Sequence, residues 1–256
     1  AASLDHIRKI AVGDAAAKAS LDAALSEFGL AALLVPEAVG GLGLGLLDAC
    51  LVQEQLGYHI APSRFLASAV TASMLAHSPS VQGQIAAGDV KTGLALTELF
   101  SRRDGAGLAL KAGKLSGTSL LALDADGATH LLAADGEGGL HIIHASDAAL
   151  VPMQTIDRTR TFHEVKLDGA KPAASGRADD RFIALARLLV AADTLGAAQA
   201  MIDKAVAYAA ERKQFERVIG SFQAVKHMCA EMAARLEPGR ALVWHAAHAL
   251  DTGDGE

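Results

Sequence analysis

Aromatic residues are scarce in this chain of 256 residues: phenylalanine, tyrosine and tryptophan make up 4%, although 51% of the residues are hydrophobic. The apolar mass is therefore mostly alanine and leucine, a composition that favours helices packed through small side chains. No stretch approaches the roughly 18 uninterrupted apolar residues of a membrane span. The richest stretch, residues 185–202, is broken by Arg187, Asp193 and Gln199. We therefore expect no transmembrane segment.

Positive charge is not in excess either. The net charge is −6 and the basic residues are dispersed, which argues against nucleic-acid binding.

Cysteine is nearly absent: Cys50 and Cys229 lie far apart on apolar helical stripes, and we expect both to be buried and reduced. No signal peptide is visible, so we expect a cytoplasmic protein. The chain lacks an initiator methionine and stops as a helix ends, which is consistent with a part of a longer polypeptide.

Three regions differ in pattern, which predicts a multidomain α+β protein. Residues 1–92 predict an N-terminal α-helical domain. Residues 93–177 predict a middle antiparallel β-barrel or sandwich, because Val165 and Leu167 alternate with polar residues and Asp135-Gly136 separates two short apolar runs. Residues 178–256 predict a C-terminal helical bundle that is incomplete.

Apolar residues at three- and four-residue steps mark two long helices in the C-terminal region. The first seam contains Leu188, Ala191, Leu195, Ala198, Ile202, Ala205 and Ala209, and the second contains Val225, Cys229, Met232, Leu236, Val243 and Leu250. We expect Pro238 to kink or divide the second helix. The two apolar seams must pack against other apolar surfaces, supplied by missing sequence, another subunit, or both. His245 and His248 lie three residues apart in the second helix, but nothing completes a metal site, so we expect no metal.

Residues 211–223 join the two helices and combine an arginine, an aromatic ring and an amide. Arg212 can bind anionic oxygens through paired N–H groups, Phe215 can pack on a ring, and Gln223 can bond a polar edge. A structural interpretation is also open: basic residues at a helix C-terminus offset its dipole, and Ser221 caps the next helix.

This segment resembles the Arg-x-x-Phe-Gly…Phe-Gln signature of the acyl-CoA dehydrogenase family of flavoenzymes. Further matches follow in the same order. Residues 35–43 resemble the N-terminal Pro-Glu-x-x-Gly-Gly-x-Gly turn, residues 95–98 resemble the Thr-Glu element of the middle domain, and residues 155–160 resemble a later segment of that domain. The order of helices, strands and helices matches as well, so the resemblance covers nearly the whole chain.

The resemblance implies an FAD site. Arg212, Phe215 and Gln223 then hold FAD across a subunit interface, while Leu96 and Thr97 lie against the flavin ring. After Glu98 the chain departs from the usual family loop and places Arg103 where a small hydroxyl is usual. Arg103 then either brings a positive charge near the phosphates or marks an altered or lost flavin site. No tryptophan of the flavin-facing strand is recognisable in residues 114–118.

The implied reaction is FAD-dependent oxidation of an acyl-CoA thioester to the α,β-enoyl-CoA, by removal of the α-proton and transfer of a β-hydride to flavin. Arg187 matches an arginine near the substrate. Of the family's two positions for the base, one holds Ala186 here and the other lies beyond Glu256, so no catalytic residue is assigned. The implied partners are an acyl-CoA substrate, an electron-transfer partner and the other subunits of a homo- or hetero-tetramer.

The same residues are also compatible with other functions. The chain resembles the smaller, diverged subunits of heteromeric acyl-CoA dehydrogenases, which implies a non-catalytic companion that completes a partner's FAD site through Arg212. A flavin oxidase or monooxygenase on the same fold is a further alternative. The last is a helical scaffold that binds no flavin.

Overall fold

The computed structural model describes residues 3–75, 79–101 and 103–253. Helices come first, strands follow, and two long helices end the chain, in the order that the sequence predicts. The helices are α1 (Leu4–Ala11), α2 (Ala15–Glu27), α3 (Leu46–Tyr58), α4 (Phe65–Met74), α5 (Pro79–Ala86), α6 (Thr97–Phe100), α7 (Asp180–Glu211) and α8 (Gln223–Thr252). The strands are β1 (Thr92–Ala95), β2 (Gly107–Lys111), β3 (Lys114–Leu123), β4 (His130–Ala134), β5 (Gly139–His144), β6 (Ala148–Met153), β7 (Phe162–Ala170), β8 (Ala174–Arg177), β9 (Lys213–Gln214) and β10 (Arg217–Val218).

Contacts divide the chain into two compact units. The helical unit contains residues 46–61 and 187–253, and the sheet unit contains residues 3–45 and 62–186. Helix α3 therefore groups with α7 and α8, although it lies among the N-terminal helices in sequence. The division into domains at residues 92 and 177 stays a prediction.

One sheet forms the core of the sheet unit. Its strands follow the order β6-β7-β3-β1-β4-β5-β8, with β2 paired to β3. The pairs are antiparallel except β1 with β4, which are parallel. The predicted hairpin is confirmed as β4 and β5, and the predicted alternation is confirmed in β7, where Val165 is fully buried.

Helices α3 and α7 of the helical unit approach each other through glycines. A Cβ atom on Gly196 would lie 1.8 Å from the carbonyl oxygen of Glu54, and one on Gly57 would lie 2.1 Å from that of Asp193. Neither position has room for a side chain. The backbone N–H of Leu46 at the start of α3 donates to both carboxylate oxygens of Asp251, at 2.9 and 2.8 Å, so a negative charge sits at a helix N-terminus.

The two long helices differ from expectation in detail. Pro238 lies inside α8, which continues from Gln223 to Thr252, so the helix is not divided there. A proline removes only one backbone donor, and the remaining hydrogen bonds carry the helix through. Cys50 is buried as predicted, whereas Cys229 is half-buried. Helix α7 is long and apolar enough to cross a membrane, and 44% of its most apolar window is buried. A core helix passes the same test, so this is weak evidence for a membrane span.

Candidate functional site

A short hairpin follows α7. Strands β9 and β10 pair Gln214 with Arg217, which leaves Phe215 and Glu216 at the tip. Both tip residues have positive φ values, 51° and 64°, the backbone of a primed two-residue turn. Ser221 does not cap α8, so that interpretation is wrong: its Oγ donates to the carbonyl of Val218 at 2.7 Å, and α8 begins at Gln223 without a side-chain cap.

The backbone of Arg212 is held on both sides. Its N–H donates to the Tyr208 carbonyl at 2.8 Å, and its carbonyl accepts from the Ile219 N–H, also at 2.8 Å. The side chain is exposed. Within the described ranges its guanidinium has no hydrogen bond or ion pair. A fixed backbone therefore presents a fork of N–H donors with unused bonding capacity.

The hairpin after Arg212 carries aromatic and cationic side chains. Phe215 is 86% exposed, and its ring meets that of Phe222 edge-on, with centroids 6.1 Å apart. The guanidinium of Arg217 lies 4.1 Å from the centroid of the Phe222 ring, a cation–π contact. With exposed Lys213, residues 211–217 present three positive charges, and the exposed carboxylates of Glu211 and Glu216, beside an exposed ring. Gln223, also exposed, is the first residue of α8. Arg212, Phe215 and Gln223 thus lie in one surface segment of the helical unit.

Thr97 and Glu98 have local roles in the sheet unit. Thr97 is the first residue of α6, a one-turn helix, and its Oγ1 donates to the Leu121 carbonyl at 3.2 Å. Glu98 accepts from the Ser119 Oγ at 2.6 Å and from the Leu120 N–H at 2.9 Å. These bonds hold an irregularity of β3 between Ser119 and Ala122. Helix α6 therefore braces a distorted strand.

Residues 119–121 of β3 are the strand residues that bond to Thr97 and Glu98. Leu121 has a φ of 55°, and no tryptophan occurs in residues 114–118 or in residues 119–121. Leu96 follows β1 and is buried.

Arg103 lies in acidic surroundings. Its Nη1 donates to the Ser101 carbonyl at 3.1 Å. It lines an open cleft of ≈ 680 Å³, together with the carboxylates Glu98, Asp104, Asp135 and Glu137. Burial raises the pKa of Asp135, but hydrogen bonds from His141 and from backbone N–H groups outweigh burial and lower that pKa. Such a cleft repels phosphate oxygens, so the surroundings of Arg103 do not favour a phosphate contact.

The two positions on α7 that bear on catalysis lie side by side. Ala186 is 7% exposed, and Arg187 is exposed. An alanine cannot remove a proton, and the role of Arg187 at a substrate stays a prediction. Burial, with Asp251 and Glu54, raises the pKa of the Cys50 thiol to about 12, so this thiol stays protonated. Within the described residues no cluster of histidine, cysteine, aspartate and glutamate could hold a metal ion.

The residues fit FAD unequally in the two units. On the helical unit, the unpaired Arg212 and the exposed Phe215 suit a ligand that is both anionic and aromatic. On the sheet unit, the Thr97 hydroxyl is bonded to the fold and Arg103 stands among carboxylates. Arg212 and Phe215 thus suit the anionic and aromatic parts of FAD, whereas the sheet unit offers few groups that could bind the phosphates of FAD.

Two family models match this chain: "Acyl-CoA dehydrogenase, C-terminal domain" over residues 177–256, and "Acyl-CoA dehydrogenase, N-terminal domain" over residues 5–83. Acyl-CoA dehydrogenase FadE34 of Mycobacterium tuberculosis is 32% identical over 244 residues, which cover 95% of this chain and 33% of that protein. Acyl-CoA dehydrogenase IpdE2 of the same organism is 31% identical over 233 residues, or 87% of this chain and 63% of that protein. The chain thus spans less than two thirds of these relatives.

Solved structures agree with the sequence matches. A variant of the Tcur3481-Tcur3483 steroid ACAD superimposes with a TM-score of 0.79 and 30% identity, over 91% of this chain and 68% of that chain. The ChsE4-ChsE5 complex from Mycobacterium tuberculosis gives a TM-score of 0.75 and 27% identity, over 88% and 66%. The fold is therefore the one these enzymes share, with N-terminal helices, a central sheet and long C-terminal helices. The chain belongs to the acyl-CoA dehydrogenase family.

Proposed function

We propose that this chain is a subunit of an FAD-dependent acyl-CoA dehydrogenase and supplies Arg212, Phe215 and Gln223 to a flavin site shared with a neighbouring subunit. The observation that carries the proposal is Arg212. Its backbone is fixed by two hydrogen bonds, its guanidinium has no partner within the described ranges, and an exposed aromatic ring lies in the same hairpin.

In this assembly each residue has a distinct role. The Arg212 guanidinium donates paired N–H groups to pyrophosphate oxygens, the Phe215 ring packs against an aromatic part of the cofactor, and the Gln223 amide bonds a polar edge. Bound FAD supplies the hydride acceptor for the β-carbon of an acyl-CoA thioester. Lys213 and Arg217 add positive charge that favours binding of an anion.

The base that removes the α-proton is proposed to lie outside this chain's described residues. Ala186 has no titratable group, and both carboxylate oxygens of Glu98 accept hydrogen bonds from β3. A carboxylate from a partner chain, or from polypeptide outside residues 1–256, then serves as the base. In the first case the chain is a companion subunit that completes a partner's site.

A partner chain also accounts for the surface of the helical unit. Helices α7 and α8 leave large apolar side chains exposed: Val190, Met201, Val206, Tyr208, Met228, Leu242 and Trp244. Exposed apolar surface of this kind is typical of protein interfaces. ChsE4-ChsE5 of Mycobacterium tuberculosis is a complex, and Tcur3481-Tcur3483 is a steroid ACAD. By analogy we propose a hetero-tetramer and an acyl-CoA substrate with a bulky, steroid-type acyl group.

Flavin content of the purified assembly tests the proposal. We expect Arg212→Ala to lower the FAD bound per assembly while far-UV circular dichroism stays nearly unchanged, because an exposed helix-end charge contributes at most about 1 kcal/mol to folding. Arg212→Lys should restore binding only in part, because lysine lacks the forked geometry. Arg235→Ala is the matched control, since Arg235 is an exposed arginine on α8. Full flavin content in Arg212→Ala would contradict the proposal.

A second assay separates the companion from a self-sufficient enzyme. The chain is reconstituted with FAD alone, and acyl-CoA oxidation is followed with an artificial electron acceptor. We expect little turnover, because loss of a general base typically costs roughly 10²–10⁴-fold in rate. Turnover near a typical enzymatic rate of about 10 s⁻¹ would show that a base lies within these residues, and Glu98 would be the first to replace.

A further inference from the structure

A chain of hydrogen bonds joins Asp135, His141 and Ser175 in the sheet unit. The Oδ2 atom of Asp135 lies 2.8 Å from Nε2 of His141, and Nδ1 of the same ring lies 2.9 Å from Oγ of Ser175. Asp135 belongs to the β4–β5 turn, His141 to β5 and Ser175 to β8. A carboxylate, an imidazole and a hydroxyl in this order can activate the hydroxyl as a nucleophile.

Hydrogen bonding at Asp135 fixes which imidazole nitrogen carries the proton. Oδ1 of Asp135 accepts the N–H groups of Glu137 and Gly139, both at 2.8 Å. An ionised carboxylate only accepts hydrogen bonds, so Nε2 of His141 is the donor to Oδ2. In the neutral ring Nδ1 is then the acceptor, and it receives the hydroxyl of Ser175. This is the tautomer that a general base for Ser175 requires.

Gly139 leaves room for the buried pair. A Cβ atom on Gly139 would lie 2.4 Å from Oδ2 of Asp135 and 2.8 Å from Nε2 of His141. Asp135 is 9% exposed and His141 is 2% exposed. The turn is thus shaped around a buried carboxylate and a buried imidazole.

Ser175 itself is exposed on the last strand of the sheet. Ala178 and Gly138 form a hydrogen-bonded pair, with the Ala178 N–H 2.9 Å from the Gly138 carbonyl. Along an antiparallel ladder, hydrogen-bonded and non-hydrogen-bonded residue pairs alternate. Ser175 and His141 lie opposite each other, three residues along from Ala178 and Gly138. They therefore form a non-hydrogen-bonded pair, whose side chains lie close together. The N–H of Ser175 therefore points away from β5, off the edge of the sheet.

We propose that Ser175 is an activated nucleophile that accepts acyl groups from esters or thioesters. Its Oγ forms a bond to the acyl carbon while its proton passes to Nδ1 of His141. The bond from the acyl carbon to the leaving sulfur or oxygen then breaks, and the leaving group takes that proton. Water releases the acid by the same route. The outward N–H of Ser175 is a donor for the oxygen that becomes negative at the acyl carbon.

A fluorophosphonate probe tests this in the 256-residue chain, with the labelled peptide identified by mass spectrometry. We expect Ser175 to react at least about 10²-fold faster than Ser20, because this factor is the lower end of the rate increase that a positioned general base gives. Ser20 is an exposed serine on α2 of the same unit and serves as the internal control. Urea should abolish the difference. Equal rates for the two serines in the folded wild-type chain would overturn the proposal, whatever the variants do.

Two variants and two acyl donors complete the test. His141→Gln should lower labelling of Ser175 by at least about 10²-fold, and unchanged labelling would overturn the proposal. Ser175→Ala should remove the label and leave flavin content unchanged, which separates this proposal from that on Arg212. Incubation with p-nitrophenyl acetate and with acetyl-CoA distinguishes esters from thioesters. An acetylated Ser175 from either donor supports the proposal, and acetylation by neither contradicts it.

Discussion

In the sheet unit the buried side chains of the strands are mainly apolar, whereas in the helical unit charged and amide side chains are buried between three helices. Leu131, Ile143 and Val165 of the sheet are fully buried. In the helical unit, Nε of Arg240 lies 2.9 Å from a carboxylate oxygen of Glu54, and both side chains are mostly buried. The sheet unit has its buried polar pair, Asp135 and His141, at one turn, whereas the helical unit has buried polar side chains on each of the helices that meet there.

Polar contacts across the three helices explain how the helical unit stays together. The amide of Gln53 on α3 donates to Asp193 on α7 at 2.8 Å. Arg240 on α8 reaches both Glu54 on α3 and Gln199 on α7, the latter at 2.9 Å. Each bond restricts the register of the helices, whereas an apolar seam of alanine and leucine tolerates slippage. We infer that polar pairs position the helices.

Breaking the buried pair is expected to give the largest effect. Arg240→Ala leaves Glu54 buried without its partner, and such changes typically cost about 3–5 kcal/mol. Arg235→Ala is the control, because its ion pair with Glu231 is mostly exposed and is worth roughly 0–1 kcal/mol. Urea unfolding followed by fluorescence reports the helical unit alone, since Trp244 is the one tryptophan of the sequence. Equal midpoints for the two variants would contradict the role given to the buried pair.

Two glycine substitutions test the close contact between α3 and α7, with the next largest expected effect. Gly196→Ala puts a Cβ atom 1.8 Å from the Glu54 carbonyl oxygen, so α3 and α7 must move apart, at a cost of about 1–3 kcal/mol or more. Gly239→Ala on α8 meets only a side-chain carbon of Leu195 at 3.4 Å. It should be neutral or stabilising by up to about 1 kcal/mol. Trp244 fluorescence in urea measures both, and a stable Gly196→Ala protein would refute the contact.

Local patterns predicted individual helices and strands better than the contacts between them. Asp135-Gly136 between two apolar runs predicted the β4–β5 hairpin, and alternation predicted β7, because both signals depend on neighbours in sequence. The grouping of α3 with α7 depends on Gly57 and Gly196, far apart in sequence. A glycine inside a helical pattern indicates only a weak helix position, so the contact could not be predicted.

The candidate site shows the same limit. The residue types in residues 212–223 predicted a ligand-binding segment, but not the hairpin, because Phe215 and Glu216 are not residues that favour positive φ. Residues 95–98 predicted a Thr-Glu element at the start of the middle domain, but not that Thr97 begins a one-turn helix that bonds to an irregular part of β3. Tertiary hydrogen bonds decide that conformation. Ser175 pairs with His141 through strand register, which no local signal encodes.

Asp124 in the sheet unit gives a pH-dependent prediction. Burial raises its pKa from 3.8 to about 6, against the opposing charge of Arg64. A raised folded-state pKa means that its contribution to stability is fully present below pH 3.8 and is lost as the pH rises through about 6. Asp124→Asn should remove this loss, and asparagine tolerates the φ of 55° at this position. The measurement is urea unfolding by far-UV circular dichroism across this range, with exposed Asp126→Asn as control. A constant difference between wild type and Asp124→Asn at every pH would exclude the titration.

The smallest expected effect concerns backbone strain at two turns, one in each unit. Glu216 in the hairpin of the helical unit has a φ of 64°, a conformation that costs an L-residue roughly 1–2 kcal/mol. Glu216→Gly should therefore stabilise the helical unit by up to about 1 kcal/mol after the entropy cost of glycine. Gly138 in the β4–β5 turn has a φ of 83°, so Gly138→Ala should destabilise the sheet unit by a similar amount. Trp244 fluorescence reports the first change and far-UV circular dichroism the second. If Glu216→Gly also leaves flavin content unchanged, the hairpin conformation serves the fold; if it lowers flavin content, the strained turn positions Phe215 for the cofactor.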